Sequence, residues 1–150
     1  MTDVALGSLY QQLILEHYRK PRNKAELEDR TVEIHMANPV CGDEVRLQLR
    51  IEDDRIAEAK FMGQGCSISQ AAISMMTQKL QGASIDDAAA LAARFTELMH
   101  GDEAAAKDRS LGDLRALQGV SKFPVRVKCA LIGFDALQEA LTKHAEEPDT

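Results

Sequence analysis

The hydrophobic positions change period along the chain, and the changes mark the elements. Leu6, Leu9, Tyr10, Leu13, Ile14 and His17 recur at the i, i+3, i+4, i+7 spacing of an amphipathic helix, predicting one over residues 6–19. Pro21, in the run KPRNK, ends it. From Val32 the period falls to two. Val32, Ile34 and Met36 alternate with Glu33 and His35. After a Cys-Gly-Asp loop, Val45, Leu47, Leu49 and Ile51 alternate with Glu44, Arg46, Gln48 and Arg50, the clearest strand in the chain. EDDR then reads as a hairpin turn, and Ala57, Ala59 and Phe61 carry a third strand. Three strands in series predict an antiparallel meander with one buried face.

The remainder reads as helices. GQGC turns the chain, and Ser67 or Ser69 is expected to cap a helix carrying Ala72, Ile73, Met76 and Leu80 that stops at Gly82. Ser84 and Asp87 have the spacing of a capping box before a helix with Ala88, Leu91, Ala92, Phe95, Leu98 and Met99. Residues 101–121 are polar, with a short helical piece around LGDLRAL. Pro124 sits near the start of a last helix whose inner stripe runs from Cys129 through Ile132, Gly133, Ala136, Leu137, Ala140 and Leu141. The acidic end, residues 142–150, is expected to be a flexible tail. Helix, three strands, then helices make the fold class α+β, a small antiparallel three-stranded sheet with helices packed against it. One domain over residues 1–150 is expected, since a chain of 150 residues can bury roughly 70% of its unfolded surface.

Composition narrows the function. A net charge of −6 argues against nucleic acid as a partner. Neither a signal peptide nor an apolar run near membrane length is visible, so no membrane association is expected and the cytoplasm is the expected compartment. Three cysteines cannot all pair, and in a reducing compartment metal binding or reactivity is their natural use.

The cysteines fall at turns and element ends. Cys41 lies in the loop between the first two strands, Cys66 where the third strand gives way to a helix, and Cys129 near the first turn of the last helix. Helix N-termini favour the thiolate, and Arg126 and Lys128 add positive potential near Cys129. In an extended loop, residues two apart point the same way, so Cys41 and Asp43 can face one ion. Cys41, Asp43, Cys66 and Cys129 together offer three thiolates and one carboxylate, the number zinc prefers. Sulfur-rich sites also suit iron–sulfur clusters. Closed structural zinc sites are usually all Cys and His, so a carboxylate points to a site open to exchange. No pair of His17, His35, His100 and His144 has ligand spacing; core, surface or helix-end roles suit them better.

The ordered set LYQQLILEHYRKPRN, NPVCGDEV, GQGCSIS with ASIDD beyond it, and KFPVRVKCA closely resembles the SufU branch of the IscU-like iron–sulfur cluster assembly family, from about Leu9 to Leu141. The resemblance implies an IscU/NifU-N-like α+β fold. It implies a metal, Zn2+ with transient iron or an iron–sulfur cluster as the alternative, held by Cys41, Asp43, Cys66 and Cys129. It further implies a sulfurtransferase in which Cys41 accepts persulfide sulfur from a SufS-type cysteine desulfurase. By the same resemblance, a desulfurase histidine is expected to take the place of Cys41 on zinc, and the sulfur to pass on toward a SufBCD-type scaffold. Arg126 matches an arginine typical of the SufU branch and is expected to take part in the chemistry. Cluster scaffolds of the IscU kind carry a histidine immediately before the last cysteine, where this chain has Lys128, and a shorter interval than the 62 residues between Cys66 and Cys129. Both departures favour the sulfurtransferase over the scaffold.

Overall fold

The computed structural model describes residues 2–39 and 42–146, with side chains of the first helix from Tyr10 onward. In chain order the elements are α1 (Thr2–Arg19), β1 (Val32–Asn38), β2 (Asp43–Glu52), β3 (Arg55–Gln64), α2 (Ser67–Leu80), α3 (Ile85–Met99), the short α4 (Glu103–Ala106), a 3₁₀ stretch (Arg109–Lys122) and α5 (Pro124–Glu146). The α+β expectation holds: the sheet is an antiparallel meander in the order β1-β2-β3, with helices against one face.

Alternation decides that face. Val32 and Ile34 of β1, Val45, Leu47, Leu49 and Ile51 of β2, and Ile56, Ala59 and Phe61 of β3 are all buried. Asp53 and Asp54 at the β2–β3 turn both have positive φ, 52° and 59°, as a two-residue type I′ hairpin requires. One expectation shifts here. Arg50 pairs with Glu58 and Ile51 with Ile56, which leaves Ala57 as the extra residue of a β-bulge. The bulge turns Ile56, rather than Ala57, into the core.

The hub of the helical layer is α2, buried at every position from Ser69 to Thr77 and packed between α1 and α5. Phe95 of α3 stacks on Phe134 of α5 with centroids 4.4 Å apart, joining the far helices to the same core. As the capping box predicts, Ser84 caps α3 by accepting the Asp87 N–H at 3.0 Å. The region read as a short helix around LGDLRAL is a longer 3₁₀ stretch, broken at Gly112, whose φ of 56° no right-handed helix admits. α5 continues through Glu146, into the stretch expected to be loose.

The second face of the sheet is not left open. The connection after α1 crosses it, and Leu27, buried there, donates its N–H to the Gln48 side-chain carbonyl at 2.7 Å. The outer edge of β3 is closed as well. Phe61 N–H donates to the Asn23 carbonyl, Gln81 bonds both backbone groups of Ala59, and Ile56 N–H donates to the Ala83 carbonyl. An edge sealed in this way cannot recruit another strand. Among the described residues, no helix is long and apolar enough to cross a membrane.

Candidate metal centre

Three chain segments that are far apart in sequence meet at one end of the sheet. Asp43 opens β2 and pairs with Asn38, the last residue of β1. Gly42 N–H donates to the Asn38 carbonyl at 2.8 Å, and Gly42 has φ 74°, a conformation glycine adopts without strain. Cys66 follows β3 as the N-cap of α2, in extended conformation. Cys129 comes from α5. The Asp43 carboxylate, the Cys66 Sγ and the Cys129 Sγ all lie within 4.8 Å of one another.

That spacing suits a metal. Ligands arranged tetrahedrally at Zn–S and Zn–O bond lengths stand roughly 3.5–4 Å apart, close to the 4.8 Å within which these three atoms lie. The donor chemistry is consistent too, since two soft thiolates with one carboxylate form a borderline set that accepts zinc or iron. Cys41, the fourth expected ligand and the expected sulfur acceptor, lies outside the described residues.

Burial grades across the cluster. Asp43 and Cys129 are 1% and 2% exposed, whereas Cys66 is half-buried. Cys129 is the sixth residue of α5, so it sits past the first turn, deeper than expected. The positive end of the helix therefore acts on it less than the sequence suggested, because that effect falls off within the first turn. The Cys129 Sγ is 3.7 Å from the Val125 carbonyl one turn earlier, to which a protonated thiol donates.

The Asp43 carboxylate is anchored by the protein itself. Its Oδ1 accepts the Cys66 backbone N–H at 3.0 Å and the Ser69 hydroxyl at 3.1 Å. Here the capping expectation is corrected. The N-cap is Cys66, with no side-chain cap bond, and Ser69 is the third helical residue, its hydroxyl directed at Asp43. The first orphan N–H of α2 is thus satisfied by a carboxylate from β2, an acidic group where the helix dipole favours one. Gly65 makes room for this: a Cβ there would overlap the Asp43 carboxylate and the Ser69 hydroxyl. Sequence reasoning missed Ser69 as part of the site because a serine just after a turn reads first as a cap.

Arg126 and Lys128 are both exposed, on the first turns of α5. Arg126 lines an apolar groove together with Ser67, Ile68 and Phe123. Phe123 and Val125, around the start of α5, are 60% and 64% exposed, large apolar side chains left outside the core.

The histidines stay outside the cluster. His17 is fully buried between α1, α2 and the 3₁₀ stretch. Its Nε2–H donates to Asp113 Oδ2 at 3.2 Å, and the Ser74 hydroxyl, which accepts the Arg22 N–H, donates to its Nδ1 at 2.8 Å. The order Ser–His–Asp matches a hydrolase relay, but Ser74 has no exposed surface and cannot meet a substrate. His35 is exposed and pairs with Glu44 at 3.3 Å, while His100 ends α3.

Comparison with known proteins agrees with this geometry. The NifU-like N-terminal domain family matches residues 9–130. The chain is 47% identical over 140 residues to the zinc-dependent sulfurtransferase SufU of Bacillus subtilis, covering 92% of each chain. It is 38% identical to the iron–sulfur cluster assembly scaffold protein IscU of Streptococcus pyogenes, over 93% of this chain and 87% of that one. In fold it is similar to the crystal structure of a nitrogen-fixing NifU-like protein (N-terminal part) from Brucella abortus, with a TM-score of 0.83 at 21% identity, covering 93% of this chain and 96% of the other.

Proposed function

The chain belongs to the NifU-like N-terminal domain family, in its SufU-type branch, and from that membership we propose a zinc-dependent sulfurtransferase that takes persulfide sulfur from a cysteine desulfurase for iron–sulfur cluster assembly. The observation that carries this reading is the convergence of Asp43, Cys66 and Cys129 within 4.8 Å, beside the loop in which Cys41 stands two residues before Asp43. In the proposal Cys41, Asp43, Cys66 and Cys129 hold the zinc. Zinc bound there keeps thiolates deprotonated at neutral pH and does no redox chemistry of its own.

The transfer itself follows thiol–disulfide exchange. The Cys41 thiolate attacks the terminal sulfur of the desulfurase persulfide. A new S–S bond forms on Cys41, the S–S bond on the desulfurase breaks, and the desulfurase cysteine leaves as a thiolate. The terminal sulfur keeps its proton, so the step needs no outside oxidant or reductant. In the proposal the exposed Arg126, three residues before Cys129, steadies the negative charge that the desulfurase cysteine gains as it leaves as a thiolate. The exposed Phe123 and Val125, around the start of the helix that carries Cys129, offer a protein partner an apolar foothold. In the proposal the partner is a SufS-type desulfurase, and the sulfur passes on to a SufBCD-type scaffold.

The test is alanine release by a SufS-type desulfurase titrated with this protein. A saturable stimulation that Cys41→Ala abolishes, with the variant still folded, is expected. Undiminished stimulation by Cys41→Ala would remove the acceptor role. Absence of stimulation by the unaltered chain, together with a stable visible chromophore after anaerobic addition of iron and sulfide, would replace the reading with a cluster scaffold.

A further inference from the structure

Ser69 is wholly buried, and two oxygen acceptors lie within reach of its one hydroxyl proton, with the Cys66 Sγ farther off at 3.9 Å. Asp43 Oδ1 and the Cys66 carbonyl both stand 3.1 Å from its Oγ. The two are not equal. The Cys66 carbonyl already accepts the Gln70 N–H at 3.1 Å in the ordinary helical pattern. A carboxylate that holds a cation is ionised, and a hydrogen bond to an ionised acceptor is about twice as strong as a neutral one. The proton therefore goes to Asp43.

Resting on the zinc reading above, we propose that Ser69 is a positioning residue of the metal site: with the Cys66 N–H it pins Oδ1 of Asp43, so that the carboxylate meets the cation through one oxygen. Both donors belong to the first turn of α2, so they move together with Cys66, itself a ligand. Rotating the Asp43 carboxylate toward two-oxygen binding breaks both bonds at once. The Gly65 backbone closes the remaining side, because the pair already fills the space a Cβ would take. The arrangement belongs to the outer partners that orient metal-binding side chains in other sites, whose removal costs roughly 10–100-fold in affinity. A purely structural reading of Ser69 exists, in which its hydroxyl back-bonds to the Cys66 carbonyl as serines inside helices do. The two readings differ in what the metal reports.

The experiment compares unaltered protein with Ser69→Ala and Ser69→Thr by zinc competition against a chromogenic chelator and by the visible spectrum of the cobalt(II) form. Ser69→Ala is expected to lose at least tenfold in zinc affinity. Its cobalt bands should weaken and shift as the released carboxylate adds its second oxygen and coordination rises above four. Ser69→Thr, which keeps the hydroxyl, should retain the four-coordinate spectrum. In an Asp43→Ala background the Ser69→Ala change should cost no further affinity, because its effect is routed through that carboxylate. Thermal melts of the zinc-free variants identify any that fail to fold. If Ser69→Ala is among them, a Ser69→Thr spectrum departing from four-coordinate overturns the proposal. Unchanged affinity and an unchanged cobalt spectrum in folded Ser69→Ala also overturn it, leaving the zinc reading intact. An unaltered protein without a tight zinc site overturns the zinc reading, and the role of Ser69 with it.

Discussion

A single missing Cβ sets the geometry of the site. At Gly65 an added methyl would run into the Asp43 carboxylate and the Ser69 hydroxyl, while at Gly119 it would meet nothing within 4 Å. Gly65→Ala is therefore expected to push the carboxylate out of register. The crowding should cost about 1–3 kcal/mol of stability and weaken zinc by more than tenfold, whereas Gly119→Ala should be close to neutral on both scales. Urea unfolding and chelator competition on the two variants check this; a Gly65→Ala protein that binds zinc normally would show that the slot is not tight. The same residues show where the sequence was legible. Three members of the expected ligand set could be read because they fall at turns and element ends, and the fold brings Asp43, Cys66 and Cys129 together as expected. Ser69 and Gly65 could not, because their importance lies in a distance of about 3 Å across two segments that are unrelated in sequence.

At the scale of elements, a buried polar tie joins α1, α2 and the 3₁₀ stretch through His17. The ring satisfies both its nitrogens, and Ser74 in turn holds the backbone N–H of Arg22 just after α1. Truncation to His17→Ala leaves a cavity and strands the Ser74 hydroxyl, so a loss of about 2–4 kcal/mol is expected. It should appear as a lower urea midpoint with unchanged zinc affinity, since none of the three residues belongs to the cluster. A midpoint within error of the parent would mean that water replaces the ring at no cost. The sequence did not disclose this tie. His17 fitted the apolar stripe of α1, but its partners lie 57 and 96 residues away. Element identity was clearer. β2 and the Ser84 cap of α3 announce themselves in local pattern and chemistry, and both stand where expected. The Ala57 bulge was hidden, because strict alternation predicts the wrong inward residue once one extra residue enters the strand.

For the whole molecule, the question is whether the metal is needed for folding or only for function. The core answers from its placement. Phe61, Phe95, Phe134 and the apolar face of the sheet are fully enclosed by α2, α3 and α5, while the three described candidate ligands gather at one end, at a strand start, a helix cap and the second turn of α5. A core of this extent does not depend on an ion the way a zinc finger does. The zinc-free protein is therefore expected to keep a single cooperative thermal transition. Zinc then adds stability only through linkage, about 4 kcal/mol at a thousandfold excess over Kd, which for a chain of this length is an upward shift of roughly 10 °C in Tm. Calorimetry with and without a strong chelator measures the shift directly, and its growth with the logarithm of free zinc separates linkage from a structural requirement. Loss of the transition on chelation would make the ion part of the fold. Its persistence means that the site can give up a ligand while the scaffold stands, which is what a thiolate released to accept sulfur requires.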